Sequence, residues 1–336
     1  MEFHYSTYRI NLCHTFTISR SSQDFYDIVL IYLTRDGMTG VGEAVPSERY
    51  NETFDRFIEV LGQITFEDLI DSGSLDTLLD SILPKCQGLR ALEAAFDVAA
   101  HDLWGKIDGR PLYAHFGADC KKTPLTSYTI GIDNLDVIRE KVEEADPYPI
   151  LKVKLGSEHD QDIIRTIRNT TDKLIRVDAN EGWNLDKAQT MCEWLSTKNV
   201  EFVEQPLPVQ MLDETSELKK RSPLKIIADE NCIDSKDIPR IAHAFHGINI
   251  KLMKCGGLRE AYRMIQLARE LNLEIMLGCM IETSVANTAA AHLSPLTDYA
   301  DLDGHILIEN DPYLGVRVEE GKLILPSSPG LGIYLR

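Results

Sequence analysis

A chain of 336 residues, 43% hydrophobic and 26% charged, carries ample apolar material for a large core. Its length suits two domains, or one large α/β barrel with an addition. Acidic residues outnumber basic ones by 53 to 35, a formal charge of −18, which repels nucleic acid and anionic membranes and excludes both as expected partners. The seven cysteines are scattered without a CxxC pair, so neither a disulfide framework nor a zinc site is indicated. The N-terminus has no apolar signal core and no run of about 18 apolar residues occurs, so a soluble, cytoplasmic protein is expected. The sequence does not set an oligomeric state, and a homo-oligomer is compatible with it.

In chain order, "FYDIVLIYLTRDGMTGVGEA" (25–44) reads as a hairpin with its turn at "RDG". "RALEAAFDVAAHDLWGKIDG" (90–109) reads as a strong helix closed by Gly105 or Gly109. From there a new rhythm begins. Short apolar runs ending in polar residues recur as "TSYTIGI" (126–132), "ILKVKLG" (150–156), "LIRVDAN" (174–180) and "VEFVEQP" (200–206). They continue as "LKIIADE" (224–230), "GINIKLM" (247–253), "LEIMLGC" (273–279) and, weakest as a strand, "DYADLDG" (298–304). The eight runs start 23 to 26 residues apart. Helical patterns separate them, with Ile163, Ile164 and Ile167 on one face, and Met264, Leu267, Ala268 and Leu271 on another. One strand, one helix and two loops need about this length, so a (β/α)₈-type barrel is predicted. The expected organisation is an α+β domain over 1–115, a barrel over 116–304, and a tail over 305–336 that packs back on the first domain. The tail contains a second hairpin pattern, "GVRVEEGKLILP".

Barrel active sites form at the C-terminal strand ends. The second run ends with Lys152 and Lys154, which share a face because strand side chains alternate. The third run offers Asp178 and Asn180, the fourth Glu204, the fifth Asp229 and Glu230, the sixth Lys251, and the eighth Asp301 and Asp303. A single acidic residue there is most often a helix N-cap, and a lysine pair is usually a solvated face. The set argues otherwise. Carboxylates on three successive strands suit Mg²⁺, a hard cation that prefers oxygen ligands, with lysine on either side of it. Lys254 reads as a supporting or surface residue, and His243 and His246 as surface. "GVGEAV" is no dinucleotide loop, and no phosphate-loop motif occurs.

The combination "KVKLG", "RVDAN", "VEQPLP", "IADEN", "NIKLMKCGG" and "GCMIETS" resembles the enolase superfamily, in particular its muconate-lactonizing subgroup. "ALEAAFDVAAHDLWGKIDGRPL" and "PGLGIY" are similar to that subgroup as well, so the resemblance spans nearly the whole chain. It implies a modified (β/α)₇β barrel with an N-terminal α+β capping domain completed by the C-terminal tail. It implies Asp178, Glu204 and Asp229 as Mg²⁺ ligands, Lys154 and Lys251 as the acid/base pair, and Lys152 as the group that stabilises an enolate. In that superfamily a Lys or His base works beside Mg²⁺. A base lysine must be neutral at working pH, about 3 units below the ordinary value of ~10.4, and repulsion from Lys152 is expected to lower Lys154, partly opposed by the carboxylates. Two bases on opposite faces give 1,1-proton transfer, and the resemblance implies that Lys154 serves the L and Lys251 the D configuration.

The pair Asp301 and Asp303 is wrong for a second carboxylate and right for an ammonium group. Within the subgroup this pattern is similar to the dipeptide epimerases. Arg20 roughly matches the position that binds a glutamate side chain, with Arg49 as its rival, and Thr129 joins the substrate-binding candidates. The expected activity is Mg²⁺-dependent epimerisation of a dipeptide substrate, L-Ala-D/L-Glu, from wall-peptide fragments. The alternatives are an o-succinylbenzoate synthase or N-acylamino acid racemase, and, outside enzymes, a silent carboxylate-binding barrel. A sugar-acid dehydratase is discounted, because the sixth and seventh runs hold no histidine.

Overall fold

The computed structural model describes residues 1–65, 69 and 73–336. It begins with a three-stranded antiparallel sheet in the order β1 (Glu2–Ile18), β2 (Ser21–Arg35), β3 (Met38–Ala44). The β2–β3 turn falls on Asp36 and Gly37, with φ of 52° and 78°, the left-handed backbone that a two-residue hairpin needs. Helices α1 (Phe54–Leu61), α2 (Leu75–Ile82) and α3 (Arg90–Ile107) follow. β2 has a near-continuous apolar run because both of its faces are buried: Val29, Ile31 and Leu33 join the core beneath these helices, while Ile28 and Leu30 join the core shared with the barrel. Against α3, a side chain at Gly40 or Gly42 would collide with the carbonyl oxygens of Ala99 and Ala95. The helix stops at Ile107, and Gly109, two residues on, takes the left-handed turn with a φ of 64°. Gly105, the other candidate terminator, lies inside α3 and meets Gly330 of the tail.

After α4 (Leu112–His115) come eight parallel strands: β4 (Tyr128–Ile130), β5 (Ile150–Lys154), β6 (Leu174–Asp178), β7 (Val200–Glu204), β8 (Lys225–Ala228), β9 (Gly247–Lys251), β10 (Glu274–Gly278) and β11 (Tyr299–Asp301). The two edge strands approach through a parallel bridge between Thr126 and Ala300, so the sheet is nearly closed. The intervening helices are α5 (Leu135–Glu144), α6 (Asp160–Thr170), α7 (Leu185–Leu195), α8 (Leu212–Arg221), α9 (Ile238–Ile241), α10 (Leu252–Cys255) with α11 (Leu258–Glu270), and α12 (Ser284–Leu293). β11 is followed by the tail instead of a helix, so the barrel is the expected (β/α)₇β. Ile163, Ile164 and Ile167 are buried as the period predicts, as are Met264 and Ala268. Leu271, read as part of the same face, is 39% exposed because α11 has ended by then. No helix among the described residues is long and apolar enough to cross a membrane.

Alternation along the strands sorts the barrel into an outside and a lumen. Leu151 and Val153, Ile175 and Val177, Ile226 and Ala228, and Ile248 and Ile250 pack outward in the main core. Inward, Phe202, Ile227, Met276 and Tyr299 form a separate apolar cluster. The Arg176 guanidinium lies 5.4 and 5.1 Å from the Phe202 and Tyr299 ring centroids. This plug occupies the layer one step below the functional strand ends.

The cap is tied to the barrel at several points. Glu43 of β3 accepts from the Thr283 backbone N–H (2.9 Å), the Thr283 hydroxyl (2.6 Å) and the Ala286 N–H (3.2 Å) at the start of α12. Asp97 of α3 accepts from the Leu258 N–H, which opens α11. The tip of the β1–β2 hairpin reaches the barrel mouth: Ile132 N–H donates to the Thr17 carbonyl (2.9 Å), and the Ser19 hydroxyl to that of Asn180 (3.0 Å). The tail touches both parts. Ile308 bridges to Leu12 and Gly330 to Pro111, whereas the hairpin of β13 (Arg317–Glu319) and β14 (Lys322–Ile324), after β12 (Tyr313–Leu314), meets Leu125 and Thr126. β15 (Tyr334–Leu335) pairs with β12.

Candidate active site

Asp178 and Glu204 end β6 and β7, and Asp229 follows β8. Their side chains are buried, and one oxygen from each lies within 4.8 Å of the others. Neighbours orient them. The Asn180 N–H donates to Asp178 Oδ1 (3.0 Å) and the Asn249 amide to Glu204 Oε1 (2.7 Å). Lys254 donates to Asp229 Oδ1 and to the carbonyls of Asp229, Cys232 and Asn249. Lys254 is therefore a buried support, not a surface group.

The lysines stand where the alternation put them. Lys152 Nζ lies 2.6 Å from Asp301 Oδ2, 2.7 Å from Glu204 Oε2 and 3.3 Å from Asp178 Oδ2. Lys154 Nζ lies 2.7 Å from Asp178 Oδ2, and Lys251 Nζ 2.8 Å from Asp229 Oδ2. The cluster is strongly coupled. Burial would raise Asp178 and Asp229, but the lysines outweigh it and hold both below the usual carboxylate range. Glu204 is pushed up to about 7 by burial and by Asp178, against Lys152. For Lys152 and Lys251, the facing carboxylates outweigh lysine–lysine repulsion. Burial lowers Lys152 and Lys251, yet Asp301, Glu204 and Asp178 hold Lys152 well above its ordinary value, and Asp229 does the same for Lys251. Carboxylates outnumber these lysines, so a neutral base requires something else to take up the carboxylate charge.

The donor set fits a hard divalent cation. It consists of carboxylate oxygens alone, which is what Mg²⁺ prefers. Glu204 Oε2 is buried and has no hydrogen-bond partner among the described residues, although Lys152 approaches it outside hydrogen-bonding geometry. Three buried carboxylates this close repel one another unless a cation is shared among them.

Above the cluster, a cavity of about 580 Å³ lies between the barrel mouth and the cap, and both Lys154 and Lys251 line it. Asp301 and Asp303 line it too, with Thr129. β11 stops at Asp301, yet both carboxylates turn toward β4: Asp301 Oδ1 accepts from the Ser127 hydroxyl (2.7 Å) and Asp303 Oδ2 from the Thr129 backbone N–H (2.6 Å). Asp303 is pushed up to about 7 by burial and by Asp301. Arg20, in the turn between β1 and β2, donates to Glu230 Oε1 (2.7 Å) and to the Asn180 carbonyl (3.2 Å). Arg49 is held by both oxygens of Glu181, at 2.9 and 3.0 Å. Both arginines line the cavity, as does the half-buried Tyr50. His243 is exposed, and the His246 ring accepts from the Ile226 N–H (3.0 Å), so neither histidine belongs to the site.

Sequence reasoning passed over Asn249 and Glu181. Asn249 was detectable: it precedes Lys251 by two residues and so faces the lumen with it. Glu181 sits in a loop with φ of 67°, beyond any periodic signal.

The barrel, the covered mouth and the buried acid–base cluster define an enzyme of the α/β-barrel class. The chain belongs to the family described as Enolase C-terminal domain-like, whose profile matches residues 136–336. It is 42% identical over 338 residues to an L-Ala-D/L-Glu epimerase of Bacteroides thetaiotaomicron, covering 99% of this chain and 88% of that one. It is 40% identical to an L-Ala-D/L-amino acid epimerase of Maribacter sp., over 100% and 99% of the two chains. A solved dipeptide epimerase from Cytophaga hutchinsonii, complexed with Mg and the dipeptide D-Ala-L-Val, superposes with a TM-score of 0.91 at 27% identity, over 99% of this chain and 95% of that one.

Proposed function

We propose that the protein is a Mg²⁺-dependent dipeptide epimerase acting on L-Ala-D/L-Glu, at the α-carbon of the C-terminal residue. The observation that carries this reading is the placement of Lys154 and Lys251 on opposite sides of the carboxylate cluster, under a cavity that also holds the aspartate pair. Asp178, Glu204 and Asp229 would hold the metal. Bound there, Mg²⁺ would supply positive charge against the negative charge that develops on the substrate and would offset the carboxylates that hold Lys251 protonated. Lys152 faces the substrate carboxylate as negative charge builds there. Lys154 removes the α-proton from one side and Lys251 returns one to the other, or the reverse. Asp301 and Asp303 receive the substrate ammonium, and Arg20 lies nearest the C-terminal side chain. The cap excludes water, which strengthens each of these charge interactions.

An N-acylamino acid, the alternative substrate, would bring the aspartate pair no cation beyond Lys152, which already meets Asp301. Removing one partner of a buried charge pair costs roughly 30-fold to several-thousand-fold. The proposal extends to a division into a cap over 1–115 with 305–336 and a barrel over 116–304. It extends also to a cytoplasmic setting, supported by seven cysteines that are all unpaired.

The test is proton NMR in D₂O with Mg²⁺. L-Ala-L-Glu is expected to exchange its glutamyl α-proton and yield L-Ala-D-Glu, at least ~30-fold more efficiently than N-acetyl-L-Glu racemises by kcat/KM. Chelation should abolish turnover and Mg²⁺ restore it. Faster turnover of the acylated amino acid, or full activity without metal, would overturn the proposal.

A further inference from the structure

Arg20 does not stand alone in the cavity. Glu230, the residue after Asp229, meets it at 2.7 Å with a side chain that is fully buried, and Glu181 Oε2 lies a further 3.9 Å from its Nη1. Glu181 is itself committed to Arg49 and to the Val209 N–H (3.0 Å). Glu230 Oε2 has no hydrogen-bond partner among the described residues, nor does Oδ1 of Asn180, a residue that lines the cavity. The surroundings of Arg20 thus already contain one full carboxylate and hold acceptors as well as donors.

We infer that Glu230 is a positioning residue that holds Arg20 partly neutralised, so that the site takes dipeptides with either an acidic or a neutral amide-bearing second side chain. The physical reason is charge balance. A lone guanidinium in a closed site favours a carboxylate over its neutral isostere by roughly 30-fold or more. A guanidinium already carrying a carboxylate gains much less, because the incoming acid is repelled by the resident one. A glutamine side chain can instead accept from Arg20 without bringing a second negative charge beside Glu230, which a glutamate cannot do. This inference rests on the epimerase reading and adds the class of second residue.

The experiment compares kcat/KM for L-Ala-L-Glu and L-Ala-L-Gln, using the Mg²⁺-loaded enzyme as wild type, Glu230→Gln, Arg20→Gln and the double variant. The wild-type ratio is expected to lie below ~10, and Glu230→Gln to raise it to ~30 or more, chiefly through KM for the acidic dipeptide. In the Arg20→Gln background, the Glu230 substitution should leave the ratio unchanged. A wild-type ratio in the hundreds, or a Glu230→Gln effect that falls equally on both dipeptides or persists without Arg20, overturns the inference. Should Glu230→Gln lack turnover, the wild-type ratio and Arg20→Gln decide: a ratio loss below ~10-fold supports compensation and a larger one refutes it. Wild-type enzyme that turns over neither dipeptide refutes the epimerase reading itself.

Discussion

Lys154 and Lys251 hold different carboxylates of one cluster, and that difference makes them separable by mutation. Lys251→Ala is expected to lose epimerisation by at least ~10²-fold, the lower bound typical of an acid/base group. It should still exchange the α-proton of one epimer through Lys154, and deuterium incorporation without inversion is the check. Epimerisation at the wild-type rate would assign the base elsewhere. Asp303 gives a pH signature. Its carboxyl is pushed up to about 7 by burial and Asp301, so below that pH the free enzyme presents a neutral acid to the substrate ammonium. For the dipeptide, kcat/KM should therefore fall as pH drops through about 7, because that quantity reports the free enzyme. Asp303→Asn should remove this limb and lower the plateau. An unchanged acid limb in the variant would assign the titration to another group.

At the scale of elements, the join between β3 and α12 carries an unusual load of buried acid. Glu43 caps the start of α12, and Glu282, one residue before the Thr283 cap, accepts from the Met280 N–H (2.8 Å). Burial pushes Glu282 up to about 8, with Glu43 adding to it. The folded pKa lies above the unfolded one, so ionising Glu282 disfavours the folded state. The cost is absent below the unfolded value and grows as pH rises through the window up to about 8. At ~1.4 kcal/mol per pH unit for one proton, this carboxyl alone accounts for about 2 kcal/mol between roughly pH 6 and 8. Glu282→Gln should lose less stability than wild type across that window in urea melts. Parallel pH profiles would show that Glu282 does not titrate there.

Cap and barrel share buried groups at several places, among them Glu43 on α12, Asp97 on α11 and the hairpin tip on the barrel mouth. Neither part can unfold without exposing them, so a single cooperative transition is expected, with equal calorimetric and van't Hoff enthalpies. Two resolved transitions would mean that the parts are independent. Metal should couple to this transition, because the three ligands come together only in the folded chain. A ligand at 100 times its Kd stabilises by ~2.7 kcal/mol. Mg²⁺ should accordingly raise Tm in wild type and not in Glu204→Gln, a readout that needs no turnover.

The barrel was legible because its signals are periodic. Strand runs spaced 23 to 26 residues apart, alternation within each run, and turn pairs such as Asp36–Gly37 act locally and survive in one dimension. The same alternation placed Lys152, Lys154, Asp178, Glu204 and Lys251 on the lumen side before any contact was known. Charge balance was not legible. Residues 152, 204 and 301 belong to three different strands, and only barrel closure brings Lys152 within 2.7 Å of Glu204 and 2.6 Å of Asp301. Whether a buried lysine is lowered by its neighbour or raised by facing carboxylates is a sum over distances. Sequence order carries no such distances. The same holds for Arg20 and Glu230, separated by 210 positions in the chain and 2.7 Å in space. Local pattern determined which groups would face the site, and tertiary packing decided which of them neutralise one another.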